Sequence, residues 1–98
     1  MDTMALLEIV RADRAVTWAD PARDSRLMVY IEDGIAYLDS LIPSPADYTA
    51  PGDARRLLLA YVMYAEAQAV DDFGVNYQPD IIKFQMDAAL KESVDEEG

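Results

Sequence analysis

The chain contains neither histidine nor cysteine, and these two absences remove much of the common catalytic and metal-binding chemistry. Without histidine there is no Ser-His-Asp or Cys-His pair, and no Glu-x-x-His di-iron motif of helical bundles. Without cysteine there is no disulfide framework, and zinc sites built from Cys and His are excluded. A glycine-rich phosphate loop and the spacing of an EF-hand calcium loop are also absent. We therefore expect no enzyme activity, no cofactor and no metal site.

Long apolar runs are missing as well. The longest uncharged stretch, LLLAYVMYA at residues 57–65, has nine positions, whereas crossing a bilayer takes roughly 20 apolar residues. The N-terminal segment MDTMALLEIVRAD has neither a basic leader nor a signal-peptide core. The sequence therefore predicts no membrane partner, and nothing in it suggests export.

Basic residues are scarce: 8 Lys and Arg stand against 19 Asp and Glu, which gives a net charge of −11. Binding to DNA phosphates requires clustered Lys and Arg, so we expect no such binding. A surface that DNA passes without sticking is compatible with this charge, and so is a general role in solubility. At 98 residues and 52% hydrophobic content, the composition indicates one folded domain over residues 1–98, with an acidic tail at about 93–98.

Apolar residues recur at helical spacing in four segments, and no segment shows the alternation of a half-buried strand. We predict helices from Thr3 to Ala15, from Asp20 to Ile42, from Asp53 to Phe73, and from Pro79 towards the acidic tail. Asp20 and Asp53 are the predicted caps, and Pro43 and Gly74 the predicted stops. The fold class is therefore all-α, a compact bundle of three to four helices.

Two features fit this assignment poorly. Gly34 lies in the middle of a predicted helix, where glycine lowers helix stability by about 1 kcal/mol relative to alanine. Either close approach of another backbone or a tolerated defect would explain a glycine at this position. Asp71 and Asp72 fall in the last turn of the predicted third helix, where the helix dipole disfavours negative charge.

The segment PSPADYTAPG, residues 43–52, separates the two long helices. Its three prolines and one glycine exclude helix and favour a stiff, extended path, in which a short extended pairing is possible. Because long ordered loops often carry function, this loop is a candidate contact surface.

The uncharged segment 57–65 also predicts an interface. A helix that is apolar on all sides must be buried on all sides, and we expect neighbouring copies of the chain to cover what its own helices leave open. Six tyrosines in 98 residues support this interpretation, because tyrosine is enriched at protein interfaces. The candidate interface residues from this segment and the tyrosine set are Leu57, Tyr61, Tyr64 and Tyr77.

Two segments of residues 16–91 read TWADPARDSRLMVYIEDGIAYLDSLI and, after the loop, DARRLLLAYVMYAEAQAVDDFGVNYQPDIIKFQ. Their specific points are Thr17, Trp18 and Asp20 before a helix that ends Ala36-Tyr37-Leu38-Asp39, the helix from Leu57 to Tyr64, and Phe73 with Asn76-Tyr77 before the last helix. In this order and spacing, residues 16–91 resemble the head–tail connector, or adaptor, proteins of long-tailed phages and their prophages.

The resemblance implies a virion structural protein that forms a ring, typically dodecameric, beneath the portal. Such a ring extends the DNA channel and joins the head to downstream connector and tail proteins, without catalysis. DNA passes through it without specific binding, and the protein assembles in the host cytoplasm. By position, the resemblance makes Tyr48 and its loop a candidate ring contact, and Lys83, Lys91 and the tail after Leu90 candidate portal contacts.

Two other functions stay open. One is an acidic DNA mimic that blocks a DNA-binding enzyme, whose array would draw on Glu8, Asp13, Asp20, Asp24, Glu32, Asp33 and Asp39. The other is a small helical interaction module that forms a closed dimer through Leu57, Tyr61 and Tyr64.

Overall fold

The computed structural model describes residues 3–13 and 21–97, which form five α-helices and no strand. The helices are α1 (Thr3–Asp13), α2 (Pro21–Asp39), α3 (Asp53–Glu66), α4 (Val70–Asn76) and α5 (Gln78–Glu97). The all-α prediction is confirmed for these residues, although they form five helices rather than three or four. Ala15, the predicted cap Asp20 and the resemblance residues Thr17 and Trp18 lie outside the described residues.

Helix α3 is the central helix, and the other four helices all contact it. Its buried residues are Leu57, Leu58, Ala60, Tyr61, Val62 and Ala65. Helix α2 runs antiparallel to α3. Accordingly, Arg23 at the start of α2 forms an ion pair of 3.2 Å with Glu66 at the end of α3. The helices of the same chain bury most of LLLAYVMYA, and only Met63 is exposed while Leu59 and Tyr64 are half-buried, so little of this segment is left for another copy to cover.

The predicted third helix ends at Glu66 and not at Phe73, because the chain turns at Gln68. Gln68 has a φ of +57°. Its N–H bonds the carbonyl of Ala65 at 3.0 Å, and the N–H of Ala69 bonds the carbonyl of Tyr64 at 2.8 Å. This pattern is the Schellman motif, with glutamine in place of the usual glycine.

The break places Asp71 and Asp72 in the first turn of α4. There the helix dipole favours negative charge, which removes the electrostatic conflict of a continuous helix. Gly74 lies inside α4 and is not a helix stop, contrary to the prediction.

Gly34 lies where α2 crosses α3 and is buried. A Cβ at this position would lie 2.8 Å from Cδ1 of Leu58 and 2.9 Å from Cδ1 of Tyr61. Close approach of the neighbouring helix, made by side chains rather than by backbone, therefore explains the mid-helix glycine.

The boundaries around the loop differ from the predictions in two details. Helix α2 ends at Asp39, and tight turns lead from Ser40 to Ile42. Gly52 occupies the N-cap position of α3 without a side-chain cap, so Asp53 is not the cap and instead lies in the first turn. No extended pairing forms within the loop 43–52.

Helix α5 runs back along α3 and contacts α3 and α4. Ile81 and Phe84, both in its first half, are its only buried residues up to Lys91. The helix continues through Glu97, so the backbone of the predicted acidic tail is helical up to that residue. The molecule is elongated, with extents of 48 × 27 × 18 Å.

Candidate functional site

An aromatic cluster joins α2, α3, α4 and Tyr77, the residue between α4 and α5. The ring of Phe73 is fully buried and lies 5.2–6.3 Å, centroid to centroid, from the rings of Tyr37, Tyr61, Tyr64 and Tyr77. Most of these pairs are edge-to-face, the geometry that aromatic quadrupoles favour. The amide of Asn76 donates a hydrogen bond of 3.1 Å to the Tyr64 hydroxyl at the edge of the cluster. The cluster therefore holds the short helix α4 against the main pair of helices.

Tyr48 holds the Pro-rich loop onto the end of α2. Its side chain is fully buried, and its hydroxyl donates a hydrogen bond of 2.7 Å to Oδ1 of Asp39. The same oxygen accepts the backbone N–H of Ala46 at 3.3 Å. Burial, together with the hydrogen bond to Asp39, raises the pKa of Tyr48 well above its usual value near 10.

These positions change the predicted interface. Tyr48, Leu57 and Tyr61 are buried within the chain, so none of them is available to another copy unless the fold opens. Tyr64 and Tyr77 are half-buried, and their rings are engaged with Phe73. Of the three residues of the closed-dimer alternative, Leu57 and Tyr61 are buried within the chain and Tyr64 is half-buried.

The predicted portal-contact lysines differ in their surroundings. Lys83 forms ion pairs with Asp53 of α3 at 2.7 Å and with Asp87 at 3.1 Å. Hydrogen bonds to these two carboxylates raise the pKa of Lys83, and the one from Lys83 lowers the pKa of Asp53. Lys83 thus ties α5 to the start of α3, whereas Lys91 is exposed and lines a groove.

The outer face of α5 carries three large apolar side chains in a line, here called the outer stripe. Ile82, Met86 and Leu90 are 47%, 60% and 64% exposed. Because they are four residues apart, they follow one side of the helix over about 12 Å. The i, i+4, i+8 spacing of Ile82, Met86 and Leu90 was the sequence signal for this stripe, which was not among the predicted contact surfaces.

A second feature, here called the loop groove, lies between the loop and the opposite side of α5. Its cavity of about 570 Å³ is lined mostly by small and apolar residues, among them Ile42, Pro45, Pro51, Phe84 and Ala88. Asp47, Asp53, Asp87 and Lys91 lie among the lining residues as well. The side-chain amide of Gln85 donates a hydrogen bond of 3.3 Å to the carbonyl of Leu41, which connects α5 to the start of the loop.

The acidic residues proposed for DNA mimicry are not all available on the surface. Asp24 pairs with Arg11 at 3.2 Å, and Asp39 accepts the two hydrogen bonds that hold the loop. Asp20 lies outside the described residues. The remaining members Glu8, Asp13, Glu32 and Asp33 are exposed and divide between α1 and α2.

Among the described residues, no group of three or more acidic side chains is arranged to hold a metal ion. None of the five helices combines the length and apolar content needed to cross a membrane. The described surface carries the outer stripe and the loop groove besides several single exposed apolar side chains, such as Met4, Val29 and Val75.

Comparison of the chain with protein-family models, with curated proteins and with solved structures gave no match.

Proposed function

We propose that the chain is a structural subunit of a head–tail connector in a long-tailed phage or prophage, forming a ring beneath the portal. The observation that carries the proposal is the outer stripe of α5, in which three large apolar side chains on one side of a helix are 47–64% exposed. Large apolar side chains aligned on one exposed face indicate a surface that another protein covers. The resemblance of residues 16–91 to connector proteins supplies the kind of assembly.

The charge of the chain supports the same role. A net charge of −11 suits a channel through which DNA must move without being held, because the subunit repels phosphates. The proposed protein has no catalytic part and needs no cofactor. Its place is the head–tail interface of the virion, after assembly in the host cytoplasm.

We propose the far end of α5 as the portal contact. Lys91 is exposed there, and the acidic segment that follows it continues the same helix to Glu97. Lys83 contributes less to this contact than the resemblance implies, since its ammonium group is already paired with Asp53 and Asp87.

The test is to mix the purified protein with its candidate portal under capsid-assembly conditions and image the mixture by electron microscopy. We expect a ring stacked coaxially on the portal. Lys91→Glu should weaken this binding, and Glu32→Lys on α2 serves as the charge-reversal control that should leave it intact. The connector role would be contradicted if the portal bound the wild-type protein neither as single subunits nor as a ring.

The alternative function is a small acidic interaction module. In that case a protein other than a portal would cover the same outer stripe. In that case light scattering should show a stable closed dimer or a defined complex with a regulatory protein, and no ring on the portal. The DNA-mimic form of this alternative is weakened, because Asp24 and Asp39 are engaged within the chain.

A further inference from the structure

The Pro-rich loop 43–52 packs against the helices through its middle. Tyr48 is the only buried residue of the loop, Ala46 and Thr49 are half-buried, and the other seven residues are exposed. A segment with so little buried surface gains little free energy from packing, and such segments open at a lower free energy than the protein as a whole. Release of the Tyr48 side chain would therefore remove most of the packing of the loop.

Three hydrogen bonds join the same part of the loop to α2 and α3. Asp39 at the end of α2 accepts the Tyr48 hydroxyl at 2.7 Å and the Ala46 N–H at 3.3 Å, both on Oδ1. Arg55 of α3 donates a hydrogen bond of 2.6 Å to the carbonyl of Thr49. Because each of these bonds joins the middle of the loop to a helix, all three break together when this part leaves the surface.

The position of Asp39 is explained by the loop rather than by its own helix. Asp39 is the last residue of α2, where the helix dipole disfavours negative charge. Two hydrogen bonds from the loop end on its carboxylate, and hydrogen bonds to an ionised group are stronger than those between neutral groups. The loop therefore supplies the compensation that the helix does not.

The two ends of the loop permit movement of the part between them. Gly52 has a φ of +146°, and no atom lies within 4 Å of the position that a Cβ would take, so this end has room to rotate. Pro43, Pro45 and Pro51 have fixed φ angles, which makes the loop a stiff piece. The prolines also limit the freedom that the loop gains on opening, and this keeps the closed state predominant.

We propose that the loop 43–52 opens as a unit while the five helices stay folded, and that the contact between Tyr48 and Asp39 keeps it closed. Residues 44–47 and 50–52 form one wall of the loop groove. Opening therefore removes the groove and uncovers the part of the core that contains Tyr48. The movement takes place within a single chain, so it does not depend on the connector role.

Cleavage by chymotrypsin reports the open state directly, because the enzyme binds a large apolar side chain before the cut bond. The side chain of Tyr48 must leave its buried position before it can enter that pocket. We expect a cut between Tyr48 and Thr49 under native conditions, which mass spectrometry identifies as fragments 1–48 and 49–98. The rate follows the open population as long as the loop opens and closes faster than it is cut.

Tyr48→Phe keeps an aromatic side chain that chymotrypsin accepts and removes the hydroxyl that bonds Asp39. Loss of a hydrogen bond to a charged group should raise the open population, and with it the rate of cleavage, about tenfold. Peptides of residues 43–52 with Tyr or Phe at position 48 correct for the preference of the enzyme. After that correction, an equal rate for the two proteins would overturn the role of the contact between Tyr48 and Asp39.

Low urea distinguishes opening of the loop from unfolding of the whole chain, and it needs no variant. If cleavage required global unfolding, its rate would rise about fivefold or more per molar urea, because the urea dependence scales with the surface exposed. Opening of the loop exposes little surface, so the rate should change less than about twofold per molar, after correction with the peptide. A fivefold rise, or no cut after Tyr48 in the folded protein, would overturn the proposal.

Ile31→Val makes the same distinction at fixed solvent. Ile31 is fully buried in α2, about 12 Å along the helix from Asp39. Loss of its methyl group should increase the unfolded population about two- to tenfold. The rate of cleavage after Tyr48 should stay unchanged, because the loop and its contacts are intact. A rise equal to that of the unfolded population would show that only global unfolding exposes Tyr48, which contradicts a local opening.

Discussion

The substitution Gln68→Gly tests the break between α3 and α4 by the sign of its effect on stability. The φ of +57° at Gln68 lies in the left-handed region, which costs a residue with a Cβ about 1–2 kcal/mol. Glycine avoids that cost, but it also gives the unfolded chain more freedom, which offsets about 0.5–1 kcal/mol. The difference predicts that Gln68→Gly raises the free energy of unfolding by about 0.5–1 kcal/mol.

A continuous helix through residue 68 would reverse the sign. Glycine in a helix interior costs about 1 kcal/mol relative to alanine, so the same substitution would then destabilise the protein. Gln68→Ala is the matched control: it keeps the Cβ and the left-handed strain, and it should change the free energy of unfolding by less than about 0.5 kcal/mol. The chain presents residue 68 at the surface, so neither substitution disturbs the core.

Urea and thermal unfolding followed by far-ultraviolet circular dichroism measure the difference. For a domain of this size, about 0.5–1 kcal/mol corresponds to a rise in Tm of about 2–8 °C. A lower Tm for Gln68→Gly, together with an unchanged Tm for Gln68→Ala, would refute the Schellman geometry and restore the single helix that the sequence predicts.

Three further changes have expected outcomes. Gly34→Ala should lower the free energy of unfolding by up to about 2 kcal/mol, because its Cβ would lie 2.8 Å from Leu58 and 2.9 Å from the Tyr61 ring, and this overpacking outweighs the gain of about 1 kcal/mol in helix propensity. Gly74→Ala, with no atom within 4 Å of the added Cβ, should raise the free energy of unfolding by about 0.5–1 kcal/mol. If urea unfolding showed that Gly34→Ala and Gly74→Ala change the free energy of unfolding in the same direction, the packing at Gly34 would be contradicted. Tyr48→Phe removes the hydrogen bond to Asp39 and should cost about 1.5 kcal/mol in the same assay, while an unchanged stability would show that the bond does not hold the loop. The raised pKa of Tyr48 means that the folded state holds the phenolic proton more tightly than the unfolded state. Its contribution is therefore complete below about pH 10 and is lost as pH rises through the folded-state pKa, so stability should fall above pH 10 in the wild type and fall less in Tyr48→Phe.

The helices with one apolar face could be predicted from the sequence. In α2, the spacing of Leu27, Ile31 and Leu38 marked a stripe, and all three are buried. In α1, Leu6 and Val10 are buried as well, on the side that the pattern indicated. These predictions succeed because burial on one side leaves a period of 3.6 residues in the sequence.

The break at Gln68 could not be located by helix propensity, because Ala67, Gln68 and Ala69 all tolerate or favour helix. The available signal was electrostatic. Asp71 and Asp72 were unfavourable at the end of one long helix, and they become favourable once a new helix begins at Val70.

The tyrosines show the limit of composition as a guide to interfaces. A ring with an apolar face and a polar tip suits a partner surface and a core edge equally well. The choice depends on contacts between residues far apart in the chain, such as Tyr37 with Phe73 or Tyr61 with Phe73. Likewise, nothing local in PSPADYTAPG indicates that the hydroxyl of Tyr48 reaches Asp39.

The aligned apolar side chains that the chain leaves exposed lie on α5 rather than on the most apolar helix. Helix α3 is central and can be covered from every side within 98 residues, since four helices contact it. Helix α5 has apolar residues on two opposite sides, Ile81 and Phe84 towards the core and Ile82, Met86 and Leu90 away from it. An outer helix of a small domain packs against its own chain on one side only. Its second apolar side therefore either exposes apolar surface to water, which is unfavourable, or contacts another molecule. The retention of three large apolar side chains on that side, in a chain with a net charge of −11, favours the contact.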